Sequence, residues 1–335
     1  MRILLTSSQR YPASVGGFAG CRVFDFLAKG LAEQGHEVFY YLPQGAAVPP
    51  PHGIIATETP PLDVDIVHVQ GSDLFDLLAA QRMPWVRTCH VDLQLKGESR
   101  GIAKSNWIFV SRTLAETYGS SRYVRNGIDP SELIYSESKQ DYFLFVCGLE
   151  RALDKGLDTA ISLSREMGFH LVVAGSSRDR RRVEAIRSLC HKNGAEYVGE
   201  VWGTQKATLF AHAKALLFPT KWNEAFGLVI PEALMSGTPV ITSDKGACEE
   251  LVTPDVGFVC RSDEDYRAAV ERVGEVSAAA CREKAIAEFH YSRMASDYVT
   301  EYRNEIEEWN AGRTESDCLI ARGKQIAIPS AFPVE

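Results

Sequence analysis

Short runs of hydrophobic residues alternate along the chain with longer stretches in which hydrophobic positions recur every three or four residues. The short runs predict buried strands at residues 3–6, 38–42, 66–69, 85–88, 107–110, 142–147, 170–174, 215–218, 239–242 and 257–259. The longer stretches predict amphipathic helices, such as 22–34, 157–167 and 180–192. Continuous hydrophobic strands that alternate with helices are typical of parallel sheets covered on both faces. The pattern therefore predicts an α/β protein.

The strand–turn–helix pattern starts twice, which predicts two doubly wound domains. The segment 131–140 is polar and lacks strand character, and the strand pattern resumes directly after it. We expect four parts: an N-terminal domain at 1–137, a C-terminal domain at 138–293, a helix at 294–310 that packs back on the first domain, and a tail at 311–335. The prolines between 43 and 61 predict a long loop there.

Composition and charge exclude several classes of protein. The chain has 36 basic and 44 acidic residues, a formal net charge of −8, which argues against binding to nucleic acid. Its eight cysteines form no Cys-x-x-Cys pair, so neither a disulfide framework nor a zinc site is expected, and a reducing cytoplasm fits. No hydrophobic run approaches the roughly 20 residues of a membrane span, and the N-terminus does not resemble a signal peptide. We expect a cytoplasmic enzyme or binding protein.

Several common motifs are missing or weak. No G-x-G-x-x-G and no P-loop follows a predicted strand, so no nicotinamide, flavin or P-loop nucleotide site is expected. Asp63 and Asp65 form an Asp-x-Asp pattern, but charged residues are common beside strands and we expect no metal ion there. His68 lies inside a hydrophobic strand, which indicates a core residue or one that supports a site. The basic run 178–182 is interpreted as a solvated helix face.

Two places in the first domain are candidates for ligand contact. Gly16, Gly17 and Phe18 close the first loop and open the first helix, where adjacent glycines let the backbone approach an anion; a simple flexible turn is the alternative. His90 follows the predicted strand 85–88, at the expected mouth of the sheet. Both a functional and a structural role remain open for it.

The most informative segment is PTKWNEAFGLVIPEALMSGTPVIT, residues 219–242. Glu224 and Glu232 lie eight positions apart, and Pro231 suits the first turn of a helix that would begin near Gly227. Acids beside such a helix start can accept hydrogen bonds from ribose or sugar hydroxyls, or they can merely complement the helix dipole. After the strand 142–147, the sequence GLERALDKG contains further candidates. Its Arg151 and Lys155 could bind a diphosphate, or could be solvated side chains.

Taken together, these segments resemble the retaining glycosyltransferases of family 4, which have a GT-B fold of two Rossmann-like domains facing across a cleft. The matches run in order over most of residues 1–260: VGGF, LAEQGHEVFYYLP, VDIVH, TCH, VSRTLAETY, RNGIDP, CGLERALDKGLDTAI, LVVAGS, YVGEV and FPTKWNEAFGLVIPEALMSGTPVITSDKGACEELV. The resemblance implies metal-independent transfer of a sugar from a nucleotide-diphosphate donor, first of all a UDP- or GDP-sugar, to a nucleophilic acceptor. It also implies retention of configuration at the anomeric carbon.

The resemblance also implies roles for individual residues. The catalytic residues would be Glu224, His90 and Lys155. The donor would be bound by Gly17, Arg151, Lys155, Val198, Glu224, Phe226, Gly227, Leu228 and Glu232, with Val198 in the segment that contacts the base. The acceptor side would comprise Gly16, Phe18 and His90. Leu149 stands where the family often has arginine, and Arg151 would take over its role.

Two alternatives keep the same fold. The protein could hydrolyse or epimerise a nucleotide sugar, which donor turnover without an acceptor would reveal. It could also be a catalytically silent partner subunit that binds a nucleotide sugar without turning it over. For a transferase, the lack of a basic amphipathic helix in the first domain favours a soluble acceptor slightly over a lipid-linked one.

Overall fold

The structure, a computed structural model, describes residues 1–7, 10–13, 19–43, 45–70, 83–91 and 105–312. The chain forms two compact units. Unit 1 comprises Met1–Gly127 and the chain from Tyr291 onward, and unit 2 comprises Ile128–His290. The boundary lies at 127/128 rather than at the expected 137/138, because the Ile128 N–H already donates a hydrogen bond to the Phe289 carbonyl of unit 2 (2.8 Å).

Unit 1 contains a six-stranded sheet with the order β3-β2-β1-β4-β5-β6, and every pairing in it is parallel. Its strands are β1 Arg2–Thr6, β2 Glu37–Tyr41, β3 Ile54–Thr57, β4 Ile66–Val69, β5 Trp85–Cys89 and β6 Trp107–Phe109, and its first two described helices are α1 Ala19–Glu33 and α2 Arg112–Thr117. Strand β3 lies within 43–61, so the prediction of one long loop there was wrong. Its two β-branched isoleucines pair with β2 at the sheet edge, where Ile54 is buried.

Unit 2 contains a second six-stranded parallel sheet, with the order β12-β11-β10-β7-β8-β9. Its strands are β7 Phe143–Val146, β8 Leu171–Ala174, β9 Glu196–Gly199, β10 Ala215–Phe218, β11 Val240–Ser243 and β12 Gly257–Cys260. Its helices are α3 Leu157–Met167, α4 Arg180–Lys192, α5 Gly203–His212, α6 Val229–Met235, α7 Cys248–Leu251, α8 Asp263–Arg272 and α9 Ala278–Phe289. Strand β9 was missed because this edge strand is at most half-buried and lacks a continuous hydrophobic run.

The two sheets share one topology, which confirms the predicted α/β class. Counted within each unit, the strands lie in the order third, second, first, fourth, fifth, sixth. This is a doubly wound order, in which ligands bind beyond the carboxyl ends of the first and fourth strands, where the direction of winding reverses. In unit 2 those strands are β7 and β10, so the loops 147–156 and 219–228 occupy the expected ligand position.

The last described helix, α10 Tyr291–Asn310, belongs to unit 1 and packs against α1. It begins at 291 rather than at 294. A Cβ on Gly30 of α1 would lie 2.8 Å from the Cβ of Ala295, so glycine allows the two helices to approach closely. The Tyr291 hydroxyl also donates a hydrogen bond to the Glu33 carboxylate (2.8 Å).

His68 of β4 is a core residue, as one of the two interpretations of the sequence expected. Its side chain has no exposed area. Its Nδ1 is hydrogen-bonded to the Tyr302 hydroxyl (2.7 Å) and its Nε2 to the Thr88 hydroxyl (2.6 Å). Burial lowers the pKa of this imidazole well below its ordinary value, so the ring is neutral and joins α10 to the sheet.

Candidate active site

The loops that follow β7 and β10 are joined through their backbones. The Lys221 N–H donates to the Asp154 carbonyl (2.8 Å). Gly156 has φ +83°, and a Cβ there would collide with the Pro219 carbonyl oxygen. Glycine adopts this left-handed conformation without a steric penalty and leaves room for the neighbouring loop. The two loops therefore form a single edge that carries the predicted site residues of both.

We expect Gly156→Ala to lower the free energy of unfolding by about 1–3 kcal/mol more than Gly168→Ala. Both glycines have positive φ, so both substitutions carry the same backbone strain, but nothing lies within 4 Å of a Cβ at Gly168. Urea unfolding of both variants checks the difference. Equal losses would mean that the contact between the loops contributes nothing to stability.

Lys155 and Glu224 form an ion pair on this edge. The Lys155 ammonium donates a hydrogen bond to Oε1 of Glu224, and the two side chains are 19% and 7% exposed. The hydroxyl of Thr220, itself almost fully buried, donates to the same oxygen (3.2 Å). A carboxylate this deeply buried needs such partners. The pair places one negative and one positive group side by side where the winding reverses.

The backbone of Glu224 is also held by the loop that follows β11. Gly246 has φ +59°, and a Cβ there would collide with the carbonyl oxygen and the nitrogen of Glu224. The next residue, Ala247, donates its N–H to the Glu224 carbonyl (2.8 Å). Backbone contacts with the loop that follows β11 thus fix the position of Glu224. No pattern in the sequence indicates this role of Gly246.

The segment between Glu224 and α6 presents backbone N–H groups. Within the part of the chain that the structure describes, no carbonyl or side chain accepts a hydrogen bond from the N–H groups of Phe226, Gly227 or Leu228. The Ile230 N–H bonds back to the Gly227 carbonyl (2.9 Å) and starts the helix. Backbone N–H groups without protein acceptors are well suited to bind an anion or a sugar oxygen.

Glu232 lies in the first turn of α6 and pairs with a residue that the sequence analysis did not identify. Its Oε1 accepts a hydrogen bond from the Lys206 ammonium of α5 (2.6 Å). The side chains of Lys206 and Glu232 are 22% and 15% exposed, so solvent or a ligand can reach both.

Arg151 occupies the outer surface of the same pair of loops. Its guanidinium carbon lies 4.2 Å from the centre of the Trp222 ring, and the side chain, 51% exposed, is 3.7 Å from the Asp154 carboxylate. Leu149, at the position that the resemblance matched to an arginine, is 1% exposed and part of the core. Arg151 is thus only four positions from Lys155 in the sequence, but its partners are Trp222 and Asp154 rather than Glu224.

Val198 is a half-buried residue of the edge strand β9. The neighbouring Tyr197 donates its hydroxyl to the Gly175 carbonyl (2.8 Å), which joins β9 to the loop that follows β8. In that loop, the Ser176 carbonyl accepts a hydrogen bond from the Leu149 N–H (3.0 Å). The carboxyl ends of β7, β8 and β9 are connected in this way, and Val198 lies two strands from β7.

Of the candidates in unit 1, His90 is among the described residues and lies directly after β5. Its Nε2 lies 3.5 Å from the side-chain nitrogen of Gln70, which follows β4. Burial, together with the nearby Arg87 cation, lowers the pKa of His90 to about 4. The imidazole is therefore neutral near pH 7. Gly16, Gly17 and Phe18 lie outside the residues that the structure describes.

We expect His90 to remain neutral between pH 5 and 8. Its imidazole resonance in the NMR spectrum, identified by its loss in a His90→Gln variant, should therefore show no inflection near pH 6.5. Because the folded-state pKa is lowered, the stabilisation that neutral His90 contributes is present above pH 6.5 and is lost as the pH falls toward 4. The free energy of unfolding of the wild type should fall relative to His90→Gln over this range. An inflection near pH 6.5 would contradict the lowered pKa of His90.

The remaining polar candidates have structural partners. Asp63 and Asp65 both bond to Arg2, through its guanidinium and its backbone N–H respectively, and so hold the start of β1. Asp179 caps α4 by accepting a hydrogen bond from the Arg181 N–H (2.9 Å), and the basic run around it is exposed.

Among the described residues, no group of three or more His, Cys, Asp or Glu side chains could hold a metal ion. None of the helices in the described ranges has the length and hydrophobicity that a membrane crossing requires.

A family model covers most of unit 2. Residues 134–288 match the model of the glycosyl transferases group 1. Over these residues, unit 2 is similar to the group 1 glycosyl transferases. The matched residues contain both loops of the site together with Lys206 and Glu232, so the ion pairs described above lie inside the region of similarity.

Individual proteins extend this likeness. A GDP-mannose-dependent alpha-mannosyltransferase from Mycobacterium tuberculosis is 31% identical over 103 residues, 31% of this chain and 26% of that protein. The chain spans between 23% and 54% of the curated relatives that it matches.

Several solved structures match nearly the whole chain. AviGT4, a glycosyltransferase involved in avilamycin A biosynthesis, has a TM-score of 0.74 and 23% identity over 92% of this chain and 98% of its own. HepE from Anabaena, in complex with UDP-glucose, has a TM-score of 0.66 and 16% identity over 93% and 100%. At these identities the likeness concerns the fold, and it confirms the expected GT-B class.

Proposed function

We propose that this protein is a retaining glycosyltransferase that moves a sugar from a nucleotide-diphosphate donor to a hydroxyl-bearing or other nucleophilic acceptor. The observation that carries the proposal is the ion pair of Lys155 with Glu224, positioned where the winding of the unit 2 sheet reverses and held by backbone contacts on both sides. The pair also lies within the residues that match the model of the glycosyl transferases group 1, which supports sugar transfer.

In the proposed reaction, the bond between the anomeric carbon and the diphosphate breaks, and the acceptor's nucleophilic atom forms a new bond to that carbon on the same face. The diphosphate leaves with the electrons of the broken bond and takes up the proton that the acceptor loses. Lys155 and the N–H groups of Phe226, Gly227 and Leu228 would stabilise the negative charge that develops on it. Groups that are already oriented in this way do not need to reorganise during the reaction, which makes them effective. Glu224 would face the transferred sugar, on which positive charge develops.

The other donor contacts are assigned by chemistry and position. Glu232 would accept hydrogen bonds from the ribose, and Val198 would pack against the base. Arg151 would add positive charge for the diphosphate after leaving Asp154. Neutral His90, with Gly16 and Phe18, would line the acceptor side.

A UDP- or GDP-sugar is the proposed donor, and no metal ion is needed in the proposal because the lysine and the N–H groups supply the charge stabilisation. HepE was crystallised with UDP-glucose, and the mycobacterial relative is named for GDP-mannose. A soluble acceptor and a cytoplasmic location complete the proposal. The seven cysteines among the described residues are all free, which fits a reducing compartment.

The proposal is tested by incubating the protein with UDP-glucose, GDP-mannose and a panel of sugar and polyol acceptors in EDTA. We expect acceptor-dependent release of one nucleoside diphosphate, and NMR of the product should show the donor's anomeric configuration. An inverted product would overturn retention. Turnover without any acceptor would indicate a hydrolase or epimerase, and binding without turnover would indicate a silent partner subunit.

A further inference from the structure

We propose that Lys206 is a positioning residue for nucleoside recognition, holding the Glu232 carboxylate so that it selects ribose over deoxyribose. The inference rests on the proposed function, because it needs a nucleotide in the site. It goes further because Lys206 lies outside both site loops and would control whether the site accepts ribose or deoxyribose.

The geometry of the pair supports a directed role. The Lys206 ammonium engages one carboxylate oxygen, Oε1 of Glu232, at 2.6 Å. The ammonium also lies 5.7 Å from the centre of the Phe210 ring, and Phe210 is fully buried in the core. This contact restrains the carboxylate on the side of Oε1. Its other oxygen has no hydrogen-bond partner among the described residues and can accept a hydrogen bond from a ligand.

The position of Glu232 connects this carboxylate to the diphosphate site. Its N–H bonds to the Leu228 carbonyl (3.2 Å), so it lies one helical turn beyond the N–H groups of Phe226, Gly227 and Leu228. If those groups face the diphosphate, the sugar of the nucleoside comes next along the donor. A ribose 2′-hydroxyl can donate to the free oxygen of Glu232 and accept from a remaining N–H of Lys206.

Charge also favours a paired glutamate over an isolated one. An isolated carboxylate would repel the diphosphate, whereas the Lys206–Glu232 pair has no net charge. Hydrogen bonds to a charged acceptor are also stronger than those to a neutral one. A partly exposed ion pair contributes at most about 1 kcal/mol to folding, so its removal should affect ligand selection more than stability.

The test measures dissociation constants by calorimetry for UDP against 2′-deoxy-UDP and for GDP against 2′-deoxy-GDP. We expect the wild type to prefer one ribonucleotide over its deoxy form by about tenfold, the effect of one hydrogen bond to a charged group. Lys206→Met should reduce this preference to within about twofold, and Lys206→Arg should restore most of it. Lys214→Met is the matched control, because Lys214 pairs with Asp141 at the opposite end of β10 and should leave the preference unchanged. With the sugar nucleotide, Lys206→Met should raise KM and leave kcat nearly unchanged.

The possible failures are distinguishable. If Lys206→Met keeps the wild-type preference for ribose, the pair only joins α5 to α6 and the inference is overturned. If the wild type binds a nucleotide without distinguishing ribose from deoxyribose, the inference also falls, while the proposed transferase stands. If the wild type binds none of the four nucleotides, the proposed function itself is overturned.

Discussion

Replacing Glu224 with glutamine is expected to slow sugar transfer by about a hundred- to a thousandfold, the range found when a preoriented electrostatic group is removed from an active site. The substitution keeps the size of the side chain, and the amide oxygen can still accept the hydrogen bond from Thr220. What it removes is the negative charge beside the transferred sugar. Initial rates of nucleoside diphosphate release at saturating donor measure the effect, which should appear in kcat.

The matched control is Glu166→Gln. Glu166 is 47% exposed and pairs with Arg267 on the surface, at the far end of α3 from the site loops. This variant should retain full activity. If Glu224→Gln were also fully active, Glu224 would have no part in the reaction and the proposed site would be wrong.

Lys155→Met should lower activity by a similar factor and, in addition, lower the free energy of unfolding by about 1–3 kcal/mol. The loss of stability follows because, among the side chains that the structure describes, the 7% exposed carboxylate of Glu224 then keeps only Thr220 as a hydrogen-bond donor. Lys221→Met is the control: Lys221 belongs to the same pair of loops, but it is 52% exposed and pairs with the exposed Asp158. It should change neither activity nor stability appreciably.

The double variant Lys155→Met/Glu224→Gln separates the two effects. Removing both charges leaves no unpaired buried carboxylate, so most of the lost stability should return, while activity should stay as low as in the single variants. Urea unfolding and rate measurements on the same samples check this. Recovery of activity together with stability would mean that the single variants were inactive only because they were damaged.

The fold was largely predictable from the sequence because the central strands are continuous hydrophobic runs. The two missed strands are both at sheet edges, where one side lacks a neighbour and the hydrophobic signal is weak. Strand β3 is hidden in a proline-rich segment, and β9 begins with the exposed Glu196. The predicted unit boundary at 137/138 followed the polar segment 131–140, where the strand pattern pauses. The observed boundary at 127/128 depends on tertiary packing, such as the hydrogen bond of Ile128 to unit 2, and the sequence pattern does not reveal it.

The candidate site was predictable only where its residues belong to one motif. Lys155 and Glu224 each lie in a loop that directly follows a predicted strand, so the sequence placed both at the ligand end of the sheet. Their mutual ion pair and the hydroxyl of Thr220 depend on how the two loops pack. Lys206 gave no signal, because the packing of α5 against α6 brings it to a glutamate 26 positions away.

The measurement that tests the central claim most directly is a thermal shift of the wild type and Lys155→Met with UDP, GDP, ADP and dTDP, each in EDTA and in magnesium. The central claim is that the site around Lys155 and Glu224 binds a nucleotide diphosphate without a metal. We predict that one nucleotide stabilises the wild type in EDTA, by about 2.7 kcal/mol at 100 times its dissociation constant, and stabilises Lys155→Met much less. No shift with any of the four, or an equal shift in the variant, would contradict the account.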